Sequence, residues 1–173
     1  MPIREAASRV RLMGFDVDGV MTDGSLHFTP RGEEIKVFSS LDGHGLKMLQ
    51  QAGIEVAIIS GRSSQALALR AANLGIAELH MGVDDKRACL DALLQRRGLP
   101  REAAGYMGDD VVDLPILRAC GFSATPADGH DFVRRHVGFV ATRPGGRGAV
   151  REVCDFLLAA HGVLDAMLAR YLD

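Results

Sequence analysis

Met13-Gly14-Phe15-Asp16-Val17-Asp18-Gly19-Val20-Met21-Thr22-Asp23-Gly24 is the stretch from which the rest of the chain can be read. An apolar run over residues 10–15, broken by Arg11, delivers two aspartates spaced i and i+2 into a glycine-containing turn. In a strand that spacing points both carboxyls to one side, a few ångströms apart. Carboxylates so close repel unless a cation or a shared proton compensates. The stretch therefore reads as the end of a buried strand that carries an active site.

On either side of it, apolar runs alternate with amphipathic segments, the pattern of a parallel sheet wrapped by helices. A first strand over residues 10–17 leads into alternation at 25–29, a Pro30-Arg31-Gly32 turn and alternation at 34–38, which predicts a β-hairpin flap over 25–38. Further strands are expected at 54–59, 78–81, 103–107, 121–124 and 138–141. Helices are expected at 43–52, from an N-cap at Ser63 to Leu74, from Asp84 or Asp85 to Arg97, near Val111, at 128–135 and at 149–161. Residues 163–173 are apolar at helical spacing and read as a tail free to dock on a partner. The fold class is α/β: a Rossmann-like, doubly wound, mostly parallel sheet with the flap in place of a cap domain. With 173 residues, no internal repeat and no long linker, residues 1–173 read as one domain.

Composition narrows the function. The net charge of -2 and the 5% aromatic content leave neither a basic footprint nor a stacking platform for nucleic acid. No apolar run approaches a membrane span, and residues 1–5 lack the apolar core of a signal peptide. Cys89, Cys120 and Cys154 show no zinc spacing; in apolar helical settings they read as buried free thiols of a reducing cytoplasm.

In an open α/β sheet, ligands bind beyond the carboxyl ends of the strands. Four signals fall there in order: Asp16/Asp18, Ser60-Gly61-Arg62, Lys86, and Asp109/Asp110. Each alone is weak, and their agreement on one rim is the informative fact. The set permits phosphoryl transfer. Asp16 is a candidate nucleophile. Asp16, Asp109 and the main-chain carbonyl of Asp18 offer oxygen ligands for Mg2+. The Ser60 hydroxyl and Lys86 would hold phosphate oxygens. Asp18 would give a proton to the leaving alkoxide and take one from water. Asp110 and Asp113 are candidates for outer-shell bonds, and Asp113 reads equally as a helix-surface residue.

Asp16-Val17-Asp18-Gly19-Val20, Ser60-Gly61-Arg62, Lys86 and Gly108-Asp109-Asp110-x-x-Asp113 resemble, in order, the four motifs of the haloacid dehalogenase-like phosphatases. Asp42-Gly43-His44-Gly45 and the run from Gly145 to Cys154 sharpen the likeness to the branch acting on 3-deoxy-D-manno-octulosonate 8-phosphate. That resemblance implies an Mg2+-dependent homotetramer whose hairpins meet and whose sites are completed by a neighbour, on the way to the lipopolysaccharide sugar of Gram-negative bacteria. It implies Asp16 and Asp18 as nucleophile and acid/base, and Asp16, Asp18 and Asp109 as metal ligands. It places substrate contacts on Asp18, Ser39, Ser40, Leu41, Asp42, Gly43, Arg62, Arg70 and Lys86. Lys47 stands where related enzymes can carry Arg, keeping the charge but losing the bidentate fork. Arg62 and Arg70 suit a substrate carboxylate. The alternatives are a nine-carbon sialic-acid-type 9-phosphate as substrate, a non-catalytic phosphatase-like assembly module, and phosphotransfer or dehalogenation on the same scaffold. The Asp18 acid/base favours phosphatase chemistry.

Overall fold

The computed structural model describes residues 2–172. A short helix α1 (Ile3–Ser8) precedes β1 (Leu12–Phe15), the hairpin β2 (His27–Phe28) and β3 (Glu34–Ile35), and α2 (Ser40–Gln51). Next come β4 (Glu55–Ile59), α3 (Gln65–Leu74), β5 (Glu78–His80), α4 (Lys86–Arg97), β6 (Ala104–Met107) and α5 (Leu114–Leu117). The chain closes with β7 (Phe122–Thr125), α6 (Asp131–Arg134), β8 (Phe139–Val140), α7 (Ala149–Ala160) and α8 (Leu164–Ala169).

Six strands form one sheet in the order β5-β4-β1-β6-β7-β8, and every pairing in it is parallel. β1 is central because its four residues are all buried, as a strand covered on both faces requires. Successive side chains serve opposite layers: Met13, Phe15, Val56 and Ile58 join one core with α1, α2, α3 and α7. Leu12, Ala57 and Ile59 join the other with α4, α5 and α6. The chain runs from β1 to β4 and β5 on one side, then crosses to β6 on the other. The crevice at that reversal lies beyond the C-terminal ends of β1 and β6, where Asp16 and Asp109 follow.

Several local expectations change. β1 stops at Phe15, so Asp16 and Asp18 lie in the following turn rather than on one strand face. The N-cap of α3 is Ser64, whose side chain accepts from Leu67 N–H, and not Ser63. The region near Val111 is a 3-10 turn (Val111–Asp113) ahead of α5, with Pro115 in the first turn, where its missing N–H costs no bond. The segment after α7 folds back on its own chain. Met167 is buried, Val163 and Leu164 pack on the core, and the Tyr171 hydroxyl lies 3.1 Å from His44 Nε2. Cys154 is buried, Cys89 and Cys120 are only partly so, and all three are free. Among the described residues no helix is long and apolar enough to cross a membrane.

The hairpin is built with inverted polarity. Glu34, Lys36 and Phe38 point inward while Ile35 and Val37 face out. Leu26, Phe28, Ile35 and Val37 are all exposed.

Candidate active site

The turn after β1 is wound tightly on one acceptor. The Val17 carbonyl receives the N–H groups of Val20, Met21 and Thr22 at 3.2, 2.9 and 3.1 Å. The buried Thr22 hydroxyl ties in Gly19 and Gly24 N–H at 3.4 and 3.2 Å. Gly19 has φ +84, and a Cβ there would fall on the Asp109 carboxylate. Only glycine combines that backbone with so close an approach. The loop before α7 crosses this turn: Gly146 N–H donates to the Val20 carbonyl at 2.9 Å, and a Cβ on Gly146 would strike the Thr22 main chain. The glycine-rich stretch thus packs on the loop that holds Asp18.

Asp16 is buried, with Oδ1 accepting from Val17 N–H at 2.8 Å. Its Oδ2 lies 2.8 Å from Lys86 Nζ. Lys86, at the start of α4, also reaches Asp113 Oδ1 at 2.7 Å. Asp113 is fully buried, and its Oδ2 accepts from the N–H groups of Asp109 and Asp110 at 3.1 and 3.3 Å. Asp113 is therefore no helix-surface residue: it fixes both the ammonium and the turn that carries Asp109.

Asp16, Asp109 and Asp113 each bring a carboxylate oxygen within 4.8 Å of the others. Lys86 is the cation paired with them, so negative charge remains in excess. Burial, then repulsion from Asp113, pushes Asp16 up to about 6 even against the attraction of Lys86. Burial, then Asp16 and Asp113, pushes Asp109 up to about 7. Burial alone would depress Lys86, but Asp16 and Asp113 outweigh it and hold the ammonium charged. Three hard oxygen donors with surplus negative charge fit a divalent cation such as Mg2+. Asp113 holds three contacts through its two oxygens whereas each oxygen of Asp16 carries one, so Asp16 and Asp109 keep the lone pairs to ligate and Asp113 stands behind them.

Asp18 is set apart from that cluster. Lys36 Nζ donates to its Oδ1 at 2.5 Å, and Arg62 Nε lies 3.6 Å from its Oδ2. The expected crowding of two carboxylates is relieved by handing one to each set of cations. A cleft of about 460 Å3 joins the two sets, with Asp16, Asp18, Ser60, Arg62, Lys86 and Asp109 in its wall. Ser60 is buried, and its Oγ accepts from Arg62 N–H at 3.3 Å.

The remaining expected contacts do not line this cleft. Ser39 caps α2, its hydroxyl accepting from Asp42 N–H at 3.3 Å. Asp42 is buried, and its carboxylate accepts from Gly148 and Arg151 N–H at the start of α7, at 3.4 and 2.9 Å. Arg70 donates to the Ser39 carbonyl at 3.1 Å and lies over the Phe38 ring. It closes on Gly43, where a Cβ would collide with its guanidinium. Ser40, Leu41 and Lys47 are exposed. Ser39, Asp42 and Gly43 at the start of α2 are thus tied to one another and to Arg70 of α3. Lys36 and Glu34 were not among the expected residues; the signal was the hairpin alternation, which marks two faces without saying which is inside.

No family model matches the chain. It is 42% identical over 159 residues to the 3-deoxy-D-manno-octulosonate 8-phosphate phosphatase KdsC of Escherichia coli (strain K12), spanning 92% of this chain and 85% of that protein. Among solved structures it resembles the 3-deoxy-D-manno-octulosonate 8-phosphate phosphatase of Moraxella catarrhalis in complex with magnesium ion, phosphate ion and KDO. The TM-score is 0.96 at 39% identity, over 98% of this chain and 97% of that one. The cobalt-bound deoxy-D-mannose-octulosonate 8-phosphate phosphatase of Haemophilus influenzae gives a TM-score of 0.92 at 40% identity, over 97% and 99% of the two chains. With these likenesses spanning nearly its whole length, the chain belongs to the 3-deoxy-D-manno-octulosonate 8-phosphate phosphatase family of the haloacid dehalogenase superfamily.

Proposed function

We propose that the chain is an Mg2+-dependent phosphatase that hydrolyses 3-deoxy-D-manno-octulosonate 8-phosphate to the free sugar acid and phosphate. The observation that carries this reading is the set Asp16, Lys86, Asp113 and Asp109, gathered at one strand-end crevice in a chain of this family.

Asp16 and Asp109, with the Asp18 main-chain carbonyl, would hold the metal. When bound, Mg2+ supplies Lewis-acid neutralisation of phosphate charge. Asp16 attacks phosphorus, a carboxylate O–P bond forms and the ester P–O bond breaks. Asp18 delivers its proton to the departing sugar alkoxide. Asp18 then takes a proton from water as that water attacks the aspartyl-phosphate, which releases phosphate and restores Asp16. Lys86 and the Ser60 hydroxyl hold the non-bridging phosphate oxygens as charge shifts. Arg62, half exposed in the cleft wall, would read the sugar carboxylate.

The same reading makes residues 1–173 one domain that works in the cytoplasm as a homotetramer. The outward Leu26, Phe28, Ile35 and Val37 of the hairpin support assembly, since an exposed apolar patch on a flap calls for a covering surface. A neighbour packed on that flap would bring its Ser39–Gly43, Lys47 and Arg70 patch towards the cleft, completing the sugar side of the site. The test is phosphate release from 3-deoxy-D-manno-octulosonate 8-phosphate, compared in kcat/KM with a nine-carbon 9-phosphate, in EDTA and after Mg2+ is restored. Turnover of the eight-carbon ester that needs Mg2+ supports the reading. Equal activity after chelation, or preference for the nine-carbon ester, overturns it. Sedimentation of a fully active monomer would remove the shared site.

A further inference from the structure

Lys36 is the most deeply buried cation beside the cleft, its side chain only 3% exposed. A buried ammonium requires partners. It has two: Asp18 Oδ1 at 2.5 Å and Glu34 Oε1 at 3.3 Å. The same Glu34 Oε1 accepts from Arg62 Nη2 at 2.7 Å. One carboxylate oxygen of the flap therefore sits between two cations, and both of those cations also touch Asp18.

Asp18 offers an oxygen to each of these cations but carries one negative charge against their two, so the second charge comes from Glu34 and can be supplied equally by another carboxylate. Glu34 belongs to a strand of two residues on a flap, outside both hydrophobic cores. Burial works against its charge, yet Lys36, Ser64 and Arg62 hold its carboxyl below the usual glutamate range. It is thus an anion at neutral pH, seated between Lys36 and Arg62.

We propose that Glu34 is a built-in surrogate for the substrate carboxylate, occupying the Arg62–Lys36 pair until a phosphorylated sugar acid displaces it. This rests on the sugar-acid reading above. Displacement uncovers Lys36, which keeps its bond to Asp18 and exchanges Glu34 for the ligand's carboxylate. Arg62 does the same, keeping Asp18 at Nε and exchanging Glu34 at Nη2. An ester without a carboxylate cannot make that exchange, so Glu34 tunes selectivity between phosphates of acid and neutral sugars. Lys36 becomes a second carboxylate-binding residue, beside Arg62.

The experiment compares wild type and Glu34→Gln, both loaded with Mg2+, on 3-deoxy-D-manno-octulosonate 8-phosphate and on p-nitrophenyl phosphate. Calorimetry of the free sugar acid supplies a readout without turnover. Glutamine keeps the shape and loses the charge. An internal pair at a half-exposed arginine is a modest competitor, so KM for the sugar-acid ester and Kd for the free acid should each fall roughly fivefold. The preference for the acid ester over p-nitrophenyl phosphate should rise by the same factor. A KM that is unchanged or higher overturns the proposal, and so does an equal fall for both esters, which would place Glu34 in competition with the phosphate. If wild type fails to hydrolyse the sugar-acid ester, the functional reading fails as well. If it succeeds and the variant's selectivity does not move, only the role of Glu34 is lost.

Discussion

Lys86 Nζ stands 2.8 Å from Asp16 Oδ2, at the end of the central strand and the start of α4. Both side chains are nearly buried, with 9% and 11% exposure, so neither charge is well hydrated. The ammonium does not fully compensate its surroundings: Asp113 lies on its other side at 2.7 Å. Lys86 thus serves two carboxylates, and one of them is the proposed nucleophile. The pairing holds Asp16 through Oδ2 while Val17 N–H holds Oδ1, so the carboxylate is oriented and each oxygen keeps a lone pair.

Removing that cation should therefore harm fold and chemistry together. Lys86→Met leaves Asp16 and Asp113 buried without their counter-charge, a loss of roughly 3–5 kcal/mol in metal-free protein. Saturating Mg2+ should recover part of the stability but not the turnover, because the phosphate loses an electrostatic partner. Urea denaturation with and without Mg2+, set beside phosphate release, checks this. Full activity in the variant would remove Lys86 from the site.

Asp16→Asn retains size and the contact to Val17 N–H while replacing the attacking oxygen with a poor nucleophile. Turnover should fall by about 10^4-fold or more, with little change in the unfolding midpoint. Substantial phosphate release from the purified variant would contradict covalent catalysis at Asp16.

Metal and pH act on the same group. In the metal-free native state Asp16 has its pKa at about 6, against an ordinary value of 3.8. Between those values the folded chain binds more protons than the unfolded one, so stability falls as pH rises. The gap corresponds to roughly 3 kcal/mol at about 1.36 kcal/mol per pH unit. Asp109, raised to about 7, extends the loss to neutral pH. Asp23, Glu34, Glu78 and Asp91 are held below the usual carboxylate range and act at lower pH. Thermal unfolding in EDTA should therefore weaken from about pH 4.5 to 7.5, and Mg2+ should flatten or reverse the trend by binding the ionised carboxylates. A flat profile in EDTA would show that neither burial nor mutual repulsion raises these carboxyls.

How much of this could be read in advance depended on range. Asp16, Ser60, Lys86 and Asp109 were legible because each follows an apolar run closed by glycine, serine or aspartate, and an open parallel sheet gathers such ends on one rim. Lys36 was not, because its partner Asp18 lies 18 residues away and alternation alone does not say which hairpin face turns inward. Resemblance alone makes Asp42 a substrate contact, and no local signal shows that its hydrogen bonds reach 106 and 109 residues along the chain. The tail after α7 was apolar at helical spacing, which shows that it must be covered but not by what. Its own core covers Val163, Leu164 and Met167, while Leu168, Tyr171 and Leu172 stay exposed.

Gly19 tests the turn from the inside. Its φ of +84 and its contact with Asp109 leave no place for a methyl group. Gly19→Ala should cost about 1 kcal/mol or more in stability, from backbone strain alone. The larger effect should fall on the metal: displacement of Asp109 should raise the Mg2+ concentration for half-maximal activity by about 10- to 100-fold, the scale seen for disturbed ligand support. A magnesium titration that overlays wild type would show that Asp109 is not a ligand.

Asp42 separates a packing role from a substrate role. Its carboxylate satisfies two N–H groups at the first turn of α7, where an acceptor also suits the helix dipole. α2 and α7 form the most extensive helix pair of the fold, so this bond locks two elements that carry the sugar-side patch and the glycine-rich loop. Asp42→Ala should cost about 2 kcal/mol, lowering Tm by roughly 4–8 °C for a chain of this size. Asp42→Asn, which keeps an acceptor oxygen, should recover much of that loss. If Asp42 acts only through α7, KM for the sugar-acid ester below the melting range should stay near wild type in the asparagine variant. A large KM increase there with an unchanged Tm would instead return Asp42 to the substrate.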